Sequence, residues 1–317
     1  MAASAKMPIM QKELSTAIAA VVRASRLTQK IFTSIQSGHT NLAATVTKID
    51  KSPVTIADYG SQAIVNAILH SAFPKDPIVG EEDADELRKN PDLRAKVWKL
   101  VSSTLQETPP KVLEEEGGLI ESDDEMITFI DRGNSIGGKT GRTNTSYLSI
   151  LIAQGFWTLD PIDGTLGFLR GGQYAVCLAL IVDGDVKVGV LGCPNLSIKF
   201  NDPESARGVV IYGVSGGSAY QTTLDDQGME NTMVCRMQNV DDLANAKFCE
   251  SVESGHSSHE EQAQIAKLLG IGTASVRMDS QAKYACLARG DAEIYLRLPV
   301  NMKYEEKIWV NETCIHG

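Results

Sequence analysis

From residue 247 onward the chain alternates apolar strand patterns with helix patterns: strand 248–252, helix 258–269, strand 274–278, helix 281–288 and strand 293–298. Strands separated by helices cannot close hairpins, so they pair in parallel and are covered by their own crossover helices. Ligands of such units sit at the carboxyl ends of the strands. Upstream, helical spacing covers residues 10–36, where Leu14, Ile18, Val21 and Val22 form one stripe, and residues 55–73, where Thr55 and Asp58 have capping-box spacing. Residues 77–79 read as a short strand ending in Gly80-Glu81-Glu82, residues 84–104 as a third helix, and residues 122–131 as another helix starting at Ser122 with Glu125 three places on. An apolar strand at 156–159 is followed by two more at 174–182 and 186–191, joined by Asp183-Gly184, a strong hairpin signal. The expected class is α/β with α+β layering, in two domains, 1–205 and 206–317, with the acidic run Glu114-Glu115-Glu116 on a surface excursion.

Charge narrows the partners. Forty acidic residues against thirty basic leave a formal charge of −10, the wrong sign for holding a nucleic acid polymer by its phosphates. A small phosphorylated substrate stays open, because clustered carboxylates recruit magnesium and the metal then carries the phosphate. The uncharged run 144–159 is shorter than the ~18 apolar residues of a membrane span, and the first residues carry no signal-like apolar stretch. The six cysteines have no Cys-x-x-Cys spacing and read as reduced, buried thiols. Together these features lead us to expect a cytoplasmic protein with no membrane or nucleic acid partner; we further expect, independently of them, that it acts as a monomer.

Three acidic positions stand at the ends of elements: Asp58, the pair Glu81-Glu82, and Asp160 with Asp163. Carboxylates at separate strand ends can converge, and a hard divalent cation wants several oxygens, so they make a candidate magnesium site. In Asp160-Pro161-Ile162-Asp163-Gly164-Thr165 the proline stiffens the turn, and Gly164-Thr165 can open a short helix whose N–H groups face a phosphate. Taken singly, each piece has a plainer reading: Asp58 as a cap, Glu81-Glu82 as surface charge, Asp-Pro and Asp-Gly as turns. Their occurrence together, in this order, favours the site.

Val54-Thr55-Ile56-Ala57-Asp58, Val79-Gly80-Glu81-Glu82, the run from Asp160 through Gly164-Thr165-Leu166-Gly167-Phe168-Leu169-Arg170, and Lys307-Ile308-Trp309 resemble the signature series of the lithium-sensitive, magnesium-dependent phosphatases of the inositol monophosphatase superfamily. Glu253-Ser254-Gly255-His256-Ser257-Ser258-His259 and Asp279-Ser280-Gln281-Ala282-Lys283-Tyr284 are similar to its 3′(2′),5′-bisphosphate nucleotidase branch, in fungal-type wording, and the resemblance covers residues 10–143 and 156–309. It implies the αβαβα sugar-phosphatase fold and hydrolysis of the 3′-phosphate of adenosine 3′,5′-bisphosphate and of 3′-phosphoadenylyl sulfate, in sulfur metabolism. It further implies that Glu81, Asp160, Asp163 and the carbonyl of Ile162 hold Mg2+ and that Asp58 and Thr165 orient and deprotonate the attacking water. Gly164, Thr165, His256, Ser280, Lys283 and Arg297 would then bind the nucleotide and its phosphates. Read alone, His256 is better company for a helix cap with Ser257 and Ser258.

Two places depart from the resemblance. Trp309 is followed by Val310 where the superfamily's Trp-Asp motif has a metal-binding aspartate, and the seven residues 311–317 do not resemble the helix and Gly-Gly segment expected next, leaving the second domain incomplete. Residues 144–155 are extra, just before the metal-bearing strand. Both read as translated introns, since a valine codon can begin with a donor GT and a glutamine codon can end with an acceptor AG. A catalytically impaired nucleotide-binding remnant and an inositol polyphosphate 1-phosphatase are the alternatives. A remoter one is a phosphate-loop NTPase, because Gly133-Asn134-Ser135-Ile136-Gly137-Gly138-Lys139-Thr140 fits G-x-x-x-x-G-K-[ST]. That loop needs a buried strand before it, whereas residues 122–131 read as helix.

Overall fold

The computed structural model describes residues 10–37, 45–47, 53–107, 120–135, 155–200, 202, 204–225, 231–253 and 258–296, with 45–47 and 53–55 as backbone. Helix α1 (Gln11–Gln36) follows the predicted stripe, burying Ile18, Val21, Val22, Leu27 and Ile31. A hairpin of β1 (Thr45–Thr47) and β2 (Pro53–Thr55) leads into α2 (Ile56–Ala72), which is buried along almost its whole length. A helix buried on all sides has to be enclosed, and α2 is packed by α1, α4 (Pro91–Leu105), α5 (Asp123–Asp131) and β4 (Gly155–Asp163).

The single helix expected over 84–104 is two, α3 (Asp85–Lys89) and α4. The break is at Asn90-Pro91. Proline excludes the α conformation from the residue before it, Asn90 sits at φ −125° and ψ 88°, and its side chain accepts from the Leu93 N–H to cap the helix that Pro91 starts. At α5 the predicted cap forms as expected, with Ser122 Oγ accepting from Glu125 N–H at 3.2 Å.

The centre of the molecule is a seven-stranded sheet in chain order: β3 (Ile78–Val79), β4, β5 (Ala175–Val182), β6 (Asp185–Ser197), β7 (Arg207–Val214), β8 (Ala219–Thr223) and β9 (Met233–Val234). β3 and β4 are parallel; every later pair is antiparallel. The hairpin between β5 and β6 turns at Asp183 (φ 55°) and Gly184 (φ 86°), two left-handed residues in succession as a type I′ turn requires. Strands β7, β8 and β9 have no counterpart in the sequence reading, and the expected domain boundary at 205/206 falls between β6 and β7, which are paired from Val188↔Val214 to Ser197↔Arg207.

Alternation along the strands divides the interior into two cores. Val176, Leu178, Val188, Val190, Val210 and Tyr212 face α1 and α2; Ala175, Cys177, Leu191, Cys193, Val209 and Ile211 face the other way, toward Ala282, Ala285 and Cys286 of α8 (Ala282–Arg289). Beyond α8 lies the second sheet. Its centre β10 (Phe248–Ser251) pairs in parallel with β11 (Val276–Met278) and β12 (Ile294–Tyr295), as the alternation predicted. Cys249 of β10 packs with the α8 side, while Phe248 packs with Ile265 and Ala266 of α7 (His259–Leu268). The layers therefore run helix, sheet, helix, sheet, helix. Cys177, Cys193, Cys249 and Cys286 are buried and unbridged. Among the described residues no helix is long and apolar enough to cross a membrane.

Candidate active site

Three chain segments end at one place. Asp58 lies in the first turn of α2, 3% exposed. β3 and β4 are parallel with Val79 opposite Thr158, so the register, carried two residues further, sets Glu81 beside Asp160. β4 then runs through Pro161 and buried Ile162 to Asp163, turns at Gly164 (φ 86°), and enters the short helix α6 (Thr165–Arg170). Ser61 Oγ, from the same face of α2 as Asp58, donates to the Pro161 carbonyl at 3.1 Å and holds this turn to the helix. Thr165 Oγ1 donates to the Ile162 carbonyl at 3.3 Å, so two groups expected to serve the metal and the water stand in contact.

The electrostatics report the convergence. The Asp160 carboxyl keeps its proton well above the ordinary value of 3.8, first because burial penalises its charge and then because Glu81, Asp163 and Asp58 surround it with negative potential; Glu81 also hydrogen-bonds to it. On the neighbouring strand Cys177, opposite Asp160, has its thiol pushed up by burial and by Asp163 and Asp160, so it is not a nucleophile here. The donor set is all oxygen and multiply acidic, which suits a hard divalent cation such as Mg2+. As they stand, no three His, Cys, Asp or Glu side chains among the described residues are placed so that they could hold a metal ion together. The hydrogen bond between Asp160 and Glu81 relieves by a proton the repulsion that a cation would otherwise relieve.

The second α/β unit reaches this place through the loop after β11. Asp279 accepts from Arg170 Nη2 with both oxygens, at 2.9 and 3.0 Å, and Arg170 Nη1 pairs with Glu253. Asp279 fits there because Gly167 and Gly172 have no side chains: a Cβ on either would stand within 2.8 and 2.6 Å of its carboxylate. Ser280 is held at φ 62°, its Oγ accepts from Ala282 N–H at 3.1 Å, and the Gln281 N–H donates to Asp163. Lys283, 6% exposed, donates from Nζ to the Ser280 carbonyl at 2.8 Å and lies over the Tyr295 ring at 5.6 Å. The structure thus gathers Asp58, Glu81, Asp160, Ile162, Asp163, Gly164, Thr165 and Ser280, and sets Lys283 behind Ser280 with its ammonium on the loop carbonyl.

His256, Arg297, Trp309 and Val310 lie outside the described residues, as do 144–154 of the extra segment and 136–140 of the phosphate-loop motif. The described start of that motif, Gly133, follows helix α5 rather than a strand. The sequence reading assigns no role to Ser61, Gln62, Arg170 or Asp279. A signal for the first two existed: Ser61, Gln62 and Asn66 interrupt an otherwise apolar helix, and Gln62 is four residues from Asp58, hence on its face.

Residues 10–309 match the inositol monophosphatase family. A 3′(2′),5′-bisphosphate nucleotidase of Schizosaccharomyces pombe is 50% identical over 298 residues, covering 94% of this chain and 79% of its own length. That of Emericella nidulans is 44% identical over 311 residues, covering 94% of this chain and 82% of its own. The crystal structure of CysQ from Bacteroides thetaiotaomicron, a bacterial member of the inositol monophosphatase family, shares the fold at a TM-score of 0.50 and 18% identity, over 91% of this chain and 80% of that one. By sequence over nearly its whole length and by the layering of its fold, the chain belongs to the inositol monophosphatase family.

Proposed function

We propose that the chain is a magnesium-dependent phosphatase that removes the 3′-phosphate of adenosine 3′,5′-bisphosphate, leaving AMP, and acts likewise on 3′-phosphoadenylyl sulfate, as a cytoplasmic monomer. The observation that carries the reading is the electrostatic coupling of Asp160 to Glu81, Asp163 and Asp58, brought from three separate elements to one point in a chain whose relatives bear the nucleotidase name. Glu81, Asp160, Asp163 and the Ile162 carbonyl hold the cation in this proposal. When bound, it supplies positive charge for the phosphoryl oxygens and acidifies water. Asp58, buried and acidic at the start of α2, accepts the proton of the attacking water. Thr165, hydrogen-bonded to Ile162, orients that water, and the N–H groups after Gly164 face the phosphate. Ser280, with His256 and Arg297, binds the nucleotide, and Lys283 fixes the carbonyl of Ser280 while bringing a positive charge behind it.

Phosphate release from adenosine 3′,5′-bisphosphate, with and without Mg2+ and against inositol 1,4-bisphosphate, tests the reading. Release that requires Mg2+ and is lost in Asp160→Asn supports it; release from the inositol phosphate alone overturns the substrate. A second reading, a nucleotide binder without turnover, is favoured by Val310 standing where the resemblance expects aspartate. It predicts tight nucleotide binding, no phosphate release, and recovery of release in Val310→Asp.

A further inference from the structure

The turn that carries Glu81 has no regular structure of its own, and its shape is set by one side chain from α2. Gln62 is wholly buried. Its Oε1 accepts from the N–H groups of both Glu81, at 3.1 Å, and Glu82, at 3.0 Å; its Nε2 donates to the Glu82 carbonyl at 2.5 Å and to the Ile130 carbonyl at 2.8 Å. All four hydrogen-bonding sites that matter face backbone, so the amide orientation follows from its partners: two N–H groups on one side, two carbonyls on the other. Space is cut to the same shape. A Cβ on Gly80 would lie 2.5 Å from Oε1 and one on Gly133 2.6 Å from Nε2, and these two glycines join directly through Gly80 N–H to the Gly133 carbonyl at 2.8 Å.

We infer that Gln62 is a positioning residue for Glu81, acting as a backbone clamp that fixes the direction in which the Glu81 carboxylate leaves β3. This rests on the reading of Glu81 as a cation-binding residue. No hydrocarbon side chain can replace the amide, since it would remove the acceptor that serves the Glu81 and Glu82 N–H groups and the donor that serves the Glu82 carbonyl in a buried site, while the Ile130 carbonyl would keep only the Gly133 N–H at 3.0 Å. A glutamate of the same shape keeps the acceptor for Glu81 and Glu82 but turns an oxygen toward the two carbonyls that Nε2 now serves. A carboxylate ligand displaced by about 1 Å is badly placed for a cation that demands near-ideal octahedral geometry.

The test compares the full chain with Gln62→Met, Gln62→Glu and Asn66→Ala. Asn66 is the matched control: one turn further along α2, it donates to the Phe129 carbonyl of α5 at 2.8 Å and makes no hydrogen bond to the Glu81 turn. Mn2+ binding is read by calorimetry, folding by circular dichroism and Tm, and turnover as kcat and KM at saturating Mg2+. Gln62→Met is expected to weaken Mn2+ binding at least tenfold and Gln62→Glu at least threefold, with kcat falling more than KM rises. Asn66→Ala is expected to lower Tm comparably while keeping Mn2+ affinity within twofold. Equal Mn2+ affinity in wild type and a folded Gln62 variant, with only Tm reduced, overturns the inference.

Hydrogen exchange on the wild-type chain decides the matter if the variants do not fold. The Glu81 and Glu82 amides are expected to be protected as strongly as the interior of α2, and exchange at the rate of a solvent-open turn overturns the clamp. A wild-type chain that binds no Mn2+ removes the cation reading instead, and exchange then judges the clamp separately.

Discussion

The backbone N–H of Gln281 donates to the carboxylate of Asp163, 118 residues earlier in the chain. One of the acids expected to hold a cation is thus oriented by a loop of the other α/β unit, and the Arg170 to Asp279 pair beside it ties the same loop to α6.

Asp163→Asn keeps an oxygen able to accept from Gln281 and loses only the charge. The variant is expected to fold with a Tm within a few degrees of wild type and to release phosphate at least ~100-fold more slowly, on the scale of losses at metal sites. A steady-state phosphate assay beside a melting curve reads both; retained turnover removes Asp163 from the cation site.

Gly164 and Gly184 form a controlled pair. Both sit at φ 86°, but a Cβ on Gly184 meets open space whereas one on Gly164 would lie 2.7 Å from Cβ of Ser280. Gly184→Ala is expected to cost about 1 kcal/mol, the left-handed strain alone, and to leave turnover intact. Gly164→Ala adds a collision between the two units and is expected to cost about 3 kcal/mol and to depress activity. Urea denaturation at fixed pH measures the difference, and equal costs would show that the loop after β11 yields freely.

Arg170→Met leaves Asp279, whose side chain is 10% exposed, without its cation. Because the Arg170 side chain is 45% exposed, water moderates the loss to about 1–2 kcal/mol, below that of a fully buried pair. Thermal unfolding is the measurement, with an expected drop of roughly 2–6 °C for a chain of this size. Asp279→Asn, which retains an acceptor for Arg170, is expected to lose less.

The acid cluster also sets a pH dependence in metal-free protein. Asp160 titrates higher in the folded than in the unfolded chain, so above the ordinary 3.8 the folded state binds more protons and stability falls as pH rises. Asp160→Asn lacks this term. Its Tm is expected to exceed that of wild type near neutrality in a chelator, with the gap closing toward acid, and added Mg2+ is expected to reverse the order by stabilising wild type alone. Parallel curves for the two proteins would mean that Asp160 is not under the potential of its neighbours.

Much of the architecture is readable from short windows. The stripe of α1, the Ser122 cap, the Asp183-Gly184 turn and the strand and helix alternation after 247 each depend on residues within a turn or two of one another. Pro91 carried a local stop signal inside the span read as one helix, and the structure obeys it. β7 is an apolar run, Gly208-Val209-Val210-Ile211-Tyr212, whose buried faces both become intelligible only once α1 and α8 cover the sheet from opposite sides.

Residue order alone specified the type of most elements, the hairpin between β5 and β6 and the parallel pairing of the second sheet, because propensity, capping and side-chain period act over a few neighbouring positions. Tertiary structure decided that Asp58, Glu81, Asp160 and Asp163 share one electrostatic environment, that Gln62 shapes the turn before Glu81, and that Asp279 closes on Arg170. These relations follow from strand register and from the need of buried polar groups for partners, and the hydrogen-bonded pairs Gln62–Glu81 and Arg170–Asp279 lie 19 and 109 residues apart, beyond the reach of any local pattern.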